Sequence, residues 1–419
     1  MLAAIALSPS LSAAAPAPEP LQGASPLVLY HWWSSPSEMA ALDALSDAVK
    51  ARYPGFTEKR TAAPPDRGAA LFTVLQSLSK AGKAPDLVTM NTGYSMRPFV
   101  DAGLLARLDD LWISERLEKL VPPGIQAVNA FDGHYYSIPL DIHRTNLIWY
   151  NKKLLDKHGI DPASLTTLEG FFDAATRLRA GGVGTPIQMS TTWTTLLVFE
   201  GMMVGQGTAA YQDWVNGRIR SASDPRIAQA LTALKRYVGF ANRDRAGLDW
   251  LGALRRVAAG ESAFYWMGDW ANGDFRAAGL VYGRDYGVIV APGTNGLYGT
   301  AIDAFVKPLG NPQPENANRW LRVAASREGQ DAFNAPKGSI PARKDPNLAR
   351  YDAYQKWAIA SFRQSKSYPI ATAALPAPYV RALGDVLNAF IADGDVRRAA
   401  EALAAATANS AFTRVWSPE

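Results

Sequence analysis

From about residue 27 onward, short apolar runs alternate with stretches of helical spacing. Leu27-Val28-Leu29-Tyr30 has the length and continuity of a strand buried on both faces. His31-Trp32-Trp33-Ser34-Ser35-Pro36 forms the turn after it. Ser37 is then placed to cap a helix whose apolar face is Met39, Leu42, Leu45 and Val49, ended by Pro54-Gly55. A second helix is expected from Ala69 to Lys80. Pro85-Asp86-Leu87-Val88-Thr89-Met90 is the next strand, and Asn91-Thr92-Gly93 the next turn. Buried strands alternating with helices argue for an α/β fold with a largely parallel sheet.

Around residues 131 to 151 the rhythm changes. The apolar runs 135–140 and 146–150 are separated only by Asp141-Ile142-His143-Arg144-Thr145, a bridge with no room for a helix, which suggests a crossing between two lobes. A second α/β series follows. Lys152 to His158 is a helix stopped by Gly159, and Thr166 with Glu169 has the spacing of a capping box for Leu168 to Leu178. Strands are expected at 186–189 and 263–267 and a helix from Leu251 to Ala259. Beyond them come one strand over Ala301 to Val306, one helix from Glu315 to Phe333, and only helices after about Asn347. No repeat of 20–50 residues is present.

Composition narrows the function classes. With 419 residues and 48% apolar content the chain exceeds a single core and is not disordered. The net charge of +5 is spread out, with no basic run that tracks phosphates, so nucleic acid is not an expected partner. Cysteine is absent, which excludes disulfides, thiolate metal sites and a cysteine nucleophile, and four histidines weigh against a His-rich metal site. No cofactor or metal is expected. Residues 1–8 are almost wholly apolar, although no Lys or Arg precedes them, and small residues follow. A secretory leader cut around Ala13 to Ala17 fits this pattern, with Pro16-Ala17-Pro18-Glu19-Pro20 as an extended tether. No other stretch approaches the roughly 18 apolar residues of a membrane span.

Enzyme signatures are missing: there is no G-x-x-x-x-G-K-[ST], no G-x-G-x-x-G after a strand, no H-E-x-x-H and no G-x-S-x-G. The positive signal is aromatic. Trp32-Trp33, Asn91, Trp193 and Asp269-Trp270 each follow an expected strand, and ligands of open α/β sheets bind beyond the strands' carboxyl ends. Indoles with a few amides and carboxylates suit a sugar, whose C–H faces pack on rings while its hydroxyls hydrogen-bond. Two adjacent tryptophans in extended chain cannot face one way, so one stacks on ligand and one packs. Trp149, Trp214 and Trp320 lie inside elements and are read as structural. His143-Arg144 suits a hinge network as well as a ligand contact, and His134 and His158 are expected to be exposed. An alternative is a secreted carbohydrate-active enzyme, with Glu261 and Asp303, or Asp269 and Asp303, flanking a glycosidic bond.

The residues also carry a likeness. His31-Trp32-Trp33, the stretch from Tyr136 to Tyr150, Met267-Gly268-Asp269-Trp270, Arg327-Glu328-Gly329-Gln330-Asp331 and Pro336-Lys337-Gly338-Ser339-Ile340 occur in one order over residues 27–345. In this the chain resembles the extracellular solute-binding proteins of ABC sugar importers, most of all their bacterial glucose-binding branch. The resemblance implies a two-lobed periplasmic-binding-protein fold of α/β class, with a hinge and an interlobe cleft that closes on sugar without catalysis. It implies that Trp32 or Trp33 stacks on one sugar face and Trp270 on the other, and that Asp303 and Lys337 bind ring hydroxyls. Glu38 aligns with the relatives' N-terminal acid across a one-residue gap. Asn91 stands where they have histidine and Thr89 where they have glutamine. Their later histidine has no counterpart in Pro369-Ile370-Ala371-Thr372-Ala373-Ala374. Trp193 completes the expected ligand set, and Asp141, His143 and Arg144 the expected hinge. Residues 1–25 would be leader and tether, 26–138 with 296–345 the N-terminal lobe, and 139–295 with 346–419 the C-terminal lobe. The expected protein is a periplasmic monomer that delivers sugar to membrane permease subunits served by a cytoplasmic ATPase.

Overall fold

The computed structural model describes residues 25–63 and 69–412, so the expected leader and tether lie outside the described residues. Among the described residues three larger sheets organise the fold, beside a two-stranded pair of Ala130–Phe131 and His134–Tyr135. The first has the strand order Glu58–Ala62, Leu27–His31, Leu87–Asn91, Asp303–Val306, Ser137–Pro139. Its first three strands are parallel and its last two antiparallel to their neighbours, so the parallel expectation holds for only half of it. A strand from late in the sequence inserts beside Leu87–Asn91, and periodicity along the chain carries no information about such a partner.

The second sheet orders Tyr286–Val290, Leu147–Asn151, Phe264–Trp266 and Ile187–Gln188, with only the last pair parallel. The third joins Ile340–Pro341, Asp141–Arg144, Leu297–Ala301 and Lys366–Pro369. Its members continue directly into the first sheet: Leu140 separates Ser137–Pro139 from Asp141–Arg144, and Ile302 separates Leu297–Ala301 from Asp303–Val306. What reads as one strand over 301–306 is therefore two strands in different sheets. Lys366–Pro369 is a strand in a region read as all helix. The fold is two-lobed α/β, and one apolar cluster runs from Leu29 and Phe305 to Trp149, Met267 and Tyr286. A second gathers Phe171, Trp214, Phe264 and Leu387.

Helix starts shifted where a neighbouring residue made the better cap. The first helix, Pro36–Arg52, is capped by Ser35 and not Ser37: Ser35 Oγ accepts from Glu38 N at 3.3 Å, and Glu38 Oε2 accepts from Ser35 N at 3.0 Å. Proline at the first helical position fixes this start, since it has no N–H to leave unpaired. Ser37 instead donates to Asp274 Oδ2 at 2.9 Å. Thr167, one residue past the expected Thr166, caps Leu168–Ala180, while Glu169 pairs with Arg236. The helix expected over 315–333 is two, Pro314–Ala325 and Arg327–Lys337. Ser326 ends one and caps the other through Gly329 N at 3.1 Å. Trp149, Trp214 and Trp320 are buried as expected. His134 and His158 are not exposed but half-buried, and His134 Nδ1 lies 2.8 Å from Asp109 Oδ2.

Candidate functional site

A cavity of about 430 Å³ opens where the carboxyl ends of strands from the first two sheets meet the third. Four indoles line it: Trp32, Trp193, Trp250 and Trp270. Trp32 follows Leu27–His31, Asn91 ends Leu87–Asn91, and Trp270 follows Phe264–Trp266. Gly268 makes Trp270's placement possible, since a Cβ there would collide with the indole itself. Trp270 stands edge-on to His143 with ring centroids 5.0 Å apart, and Trp193 lies 6.1 Å from it at 41°.

Trp33 does not line the cavity. Extended backbone turns it the opposite way from Trp32, into the core, where it is 3% exposed between Phe305 and Phe333. Its Nε1 donates to Asp303 Oδ2 at 3.1 Å, so it braces a cavity residue from behind. Lys337 is also displaced from its expected role. It is 1% exposed, and its Nζ donates to Asp303 Oδ2 at 2.5 Å and Asp141 Oδ2 at 2.9 Å. Gly338, at φ +92°, ends its helix where a Cβ would meet Gly273 N at 2.6 Å. Thr89 is buried away from the cavity, whereas Thr372, within the stretch lacking the relatives' histidine, lines it.

Asp303 is the best-supported polar group of the cavity. Besides Trp33 and Lys337 it accepts from Asn91 Nδ2 at 2.8 Å, a pairing set by the strand register that puts Asp303 opposite Asn91. Burial alone would raise its carboxyl. The Lys337 ammonium and then His143 outweigh that and hold it well below the usual carboxylate range. Lys337 is in turn raised above an ordinary lysine by Asp141 and Asp303, against the effect of burial. Glu38 lines the cavity while its Oε2 accepts from Ser34 N and Ser35 N, both at 3.0 Å.

The strand Asp141–Arg144 splits its residues by alternation. Asp141 and His143 face the cluster: Asp141 Oδ1 accepts from Asp303 N at 2.9 Å, and His143 Nδ1 lies 2.5 Å from Asp269 Oδ1. Burial opposes charge on His143, but Asp141 and then Asp269 raise it well above an ordinary histidine, against Lys337. His143 reaches the cavity, whereas Asp141 stays behind it at 0% exposure. Arg144 points away. Its guanidinium bonds Ser361 and Leu297 O and lies over Tyr298 and Trp357, pinning the third sheet to the helix Ala353–Gln364. Asp141, His143 and Asp303 bring three ligand-type atoms within 4.8 Å of one another, but Lys337 Nζ already bridges both carboxylates.

The alternative carboxylate pairs do not form an acid–base pair across the cavity. Glu261 is exposed on the turn before Phe264–Trp266, and Asp269 is spent on His143 and on Arg144 N. Two helices supply a further wall, of which only Trp193 was expected from the sequence. Trp193, Leu196, Leu197 and Glu200 fall at i, i+3, i+4 and i+7 of Thr192–Val204, and Ala377, Val380 and Arg381 on Ala377–Asp393. That spacing was visible in the chain, but helical spacing of apolar residues is more often a core face than a ligand wall.

Known proteins share this architecture. Residues 33–331 match the bacterial extracellular solute-binding protein family. An uncharacterized ABC transporter extracellular-binding protein of Pyrococcus horikoshii is 38% identical over 91% of this chain and 87% of its own. A probable sugar-binding periplasmic protein of Brucella melitensis is 30% identical over 80% and 79%. Among solved structures, a chitin oligosaccharide binding protein superposes with a TM-score of 0.79 at 19% identity, covering 92% of this chain and 98% of its own. No described helix is long and apolar enough to cross a membrane. The chain belongs to the bacterial extracellular solute-binding proteins, a family of two-lobed receptors that bind a solute and catalyse no reaction on it.

Proposed function

We propose that this protein captures a saccharide outside the cytoplasmic membrane and delivers it to the permease of an ABC importer. The carrying observation is the pairing, in one cavity, of four indoles with the pre-ionised, fully braced carboxylate of Asp303. Indoles take the C–H faces of a pyranose, and a fixed carboxylate accepts from its hydroxyls without reorganising when ligand arrives. A volume of about 430 Å³ is at the small end of ligand pockets and suits one or two sugar rings. The Brucella relative, a probable sugar-binding periplasmic protein, supports the ligand class, and the Pyrococcus relative, an ABC transporter extracellular-binding protein, supports the partner. Glucose itself is disfavoured, because Asn91 and Thr372 are shorter polar side chains than the histidines of the branch it resembles and reach less far into the cavity.

In this reading Trp32 and Trp270 are the stacking pair, Trp193 the rim, and Glu38, Asn91 and Asp303 the hydrogen-bonding partners. Trp33 and Lys337 position Asp303. Residues 26–138 with 296–345 form one lobe and 139–295 with 346–419 the other, with Asp141, His143 and Arg144 at the hinge. The sheets support this division: to within a residue, the first draws all its strands from one set, the second from the other, and the third mixes them. Sugar held by one lobe gains contacts from the other only on closure, so ligand shifts the population towards the closed form that a permease recognises. The protein works as an exported, periplasmic monomer, and the permease's cytoplasmic ATPase supplies the energy. Titrating the protein with mono- and disaccharides while following tryptophan fluorescence and melting temperature tests this. Saturable quenching with a raised melting temperature is expected for at least one sugar. A flat response across the panel refutes it.

A further inference from the structure

Glu200 lines the cavity at the inner end of the stripe begun by Trp193, yet nothing above uses it. It is 2% exposed, and its Oε2 accepts one hydrogen bond, from Ala371 N at 2.8 Å. Among the described residues no lysine or arginine forms an ion pair with it. The titratable groups facing it are Tyr211 and Tyr368, both uncharged, and Tyr211 donates its hydroxyl to Pro369 O at 2.6 Å. Arg144 lies beyond Tyr368, and Arg381 is exposed on the neighbouring helix. Burial accordingly pushes the Glu200 carboxyl up to about 8, so the unliganded protein carries it protonated near neutral pH.

The rest of the cavity is also poor in cations. At its base, three carboxylates (Asp141, Asp269 and Asp303) are set against two cations, Lys337 and His143, a formal excess of one negative charge. Glu38 adds a further carboxylate, and the exposed Arg381 is the lining residue of opposite sign apart from His143. A site with surplus acid and a buried carboxyl lacking a counter-ion complements a cation.

We propose that the cleft takes a saccharide bearing an ammonium group, an amino sugar whose nitrogen pairs with Glu200. The inference rests on the saccharide-binding function proposed above. On pairing, Glu200 releases its proton to solvent, and an ammonium–carboxylate pair replaces the neutral acid, so no other reactant is needed.

The test compares D-glucosamine, D-glucose and N-acetyl-D-glucosamine, and the galactose counterparts, by calorimetry near pH 7 in two buffers of different ionisation enthalpy. In at least one series the amine is expected to bind about tenfold or more tighter than the hydroxyl and acetamido forms, the gain of one charge-assisted hydrogen bond. Its observed enthalpy should also differ between buffers by the released proton. Glu200→Gln should bring the amine and hydroxyl sugars within about twofold of each other, and a cooperative melting transition without ligand reports that the variant is folded. Equal binding of amine and hydroxyl forms, or no proton release on amine binding to the parent protein, overturns the inference while leaving sugar binding intact. So does a preference that Glu200→Gln retains. If no saccharide of either kind binds, the sugar-binding function falls and the inference with it.

Discussion

Lys337→Met isolates what holds the base of the cleft together. The methionine keeps most of the lysine's volume, so the change removes an ammonium that lies 2.5 Å from Asp303 and 2.9 Å from Asp141, and leaves two carboxylates facing each other in the core. Removing one partner of a buried pair costs about 3–5 kcal/mol, chiefly the penalty of the charge left behind. His143 Nε2 lies 3.1 Å from Asp141 and 3.4 Å from Asp303 and compensates in part, which places the loss near the lower figure. With an unfolding entropy of about 2.1 cal/mol/K per residue, a chain of 419 residues melting as a unit changes by about 0.9 kcal/mol per degree. A drop of roughly 3–4 °C near pH 7 follows.

The pH dependence fixes the cause. In the parent, Asp303 is depressed in the folded state, so its contribution is present above the ordinary carboxylate range and is lost only as pH falls through the lower folded value. In the variant, two like charges share the site and raise one carboxyl, which then takes up a proton in mild acid and relieves the repulsion. The deficit against the parent should therefore shrink between about pH 7 and about pH 4. Scanning calorimetry at both values measures it. A deficit below about 1 kcal/mol at neutral pH, or one that is unchanged in acid, would falsify the assignment of Lys337 as the counter-ion.

Adjacent tryptophans should separate. Trp33→Ala empties a core position and costs about 3–5 kcal/mol of stability, whereas Trp32→Ala, at a half-buried cavity position, costs less stability but weakens sugar binding by roughly 1–3 kcal/mol. Urea denaturation and calorimetry on the pair decide this, and equal stability losses would contradict the division of roles. Glu200→Gln should also flatten stability against pH. The folded parent holds a proton up to about 8 that the unfolded chain releases near 4.5, so parent stability falls across that interval by roughly 5 kcal/mol. Parallel urea midpoints for parent and variant from mildly acid to mildly alkaline pH would show that Glu200 is not buried as an acid. Trp270→Ala should abolish most sugar binding while leaving the fold intact. Unchanged affinity would move the site elsewhere.

Much of this was legible along the chain because local chemistry decided it. Burial of Leu27 and Leu29, the helix Ala69–Lys80, the stop at Gly159 and the turn positions of Trp32 and Trp270 all follow from periodicity and turn residues within a few positions, while Asn91, expected in a turn, is the last residue of its strand. That one of Trp32 and Trp33 packs and the other faces the cavity follows from backbone alternation, but which one does not. Asp303 decides it, 270 residues away, by accepting from the Trp33 indole. Caps slid by one or two residues because Ser35 and Thr167 competed with Ser37 and Thr166 over differences a pattern does not resolve. The break at Ile302 was illegible because the backbone stays extended through it, and nothing local marks where the strand changes partners.

The sequence by itself carried the class of this protein through its likeness to the sugar-importer receptors, in His31-Trp32-Trp33, Met267-Gly268-Asp269-Trp270 and Pro336-Lys337-Gly338-Ser339-Ile340. Tertiary structure alone decided which polar groups act and in what state. Lys337 reads as a ligand contact until Asp141 and Asp303 are found on it. Glu200 reads as an ordinary helix acid until its burial, with a single backbone donor, is seen. Ionisation in a low-dielectric site is set by which charges the fold brings within a few ångströms, and these pairs come from segments 34 to 196 residues apart. No local pattern carries that distance.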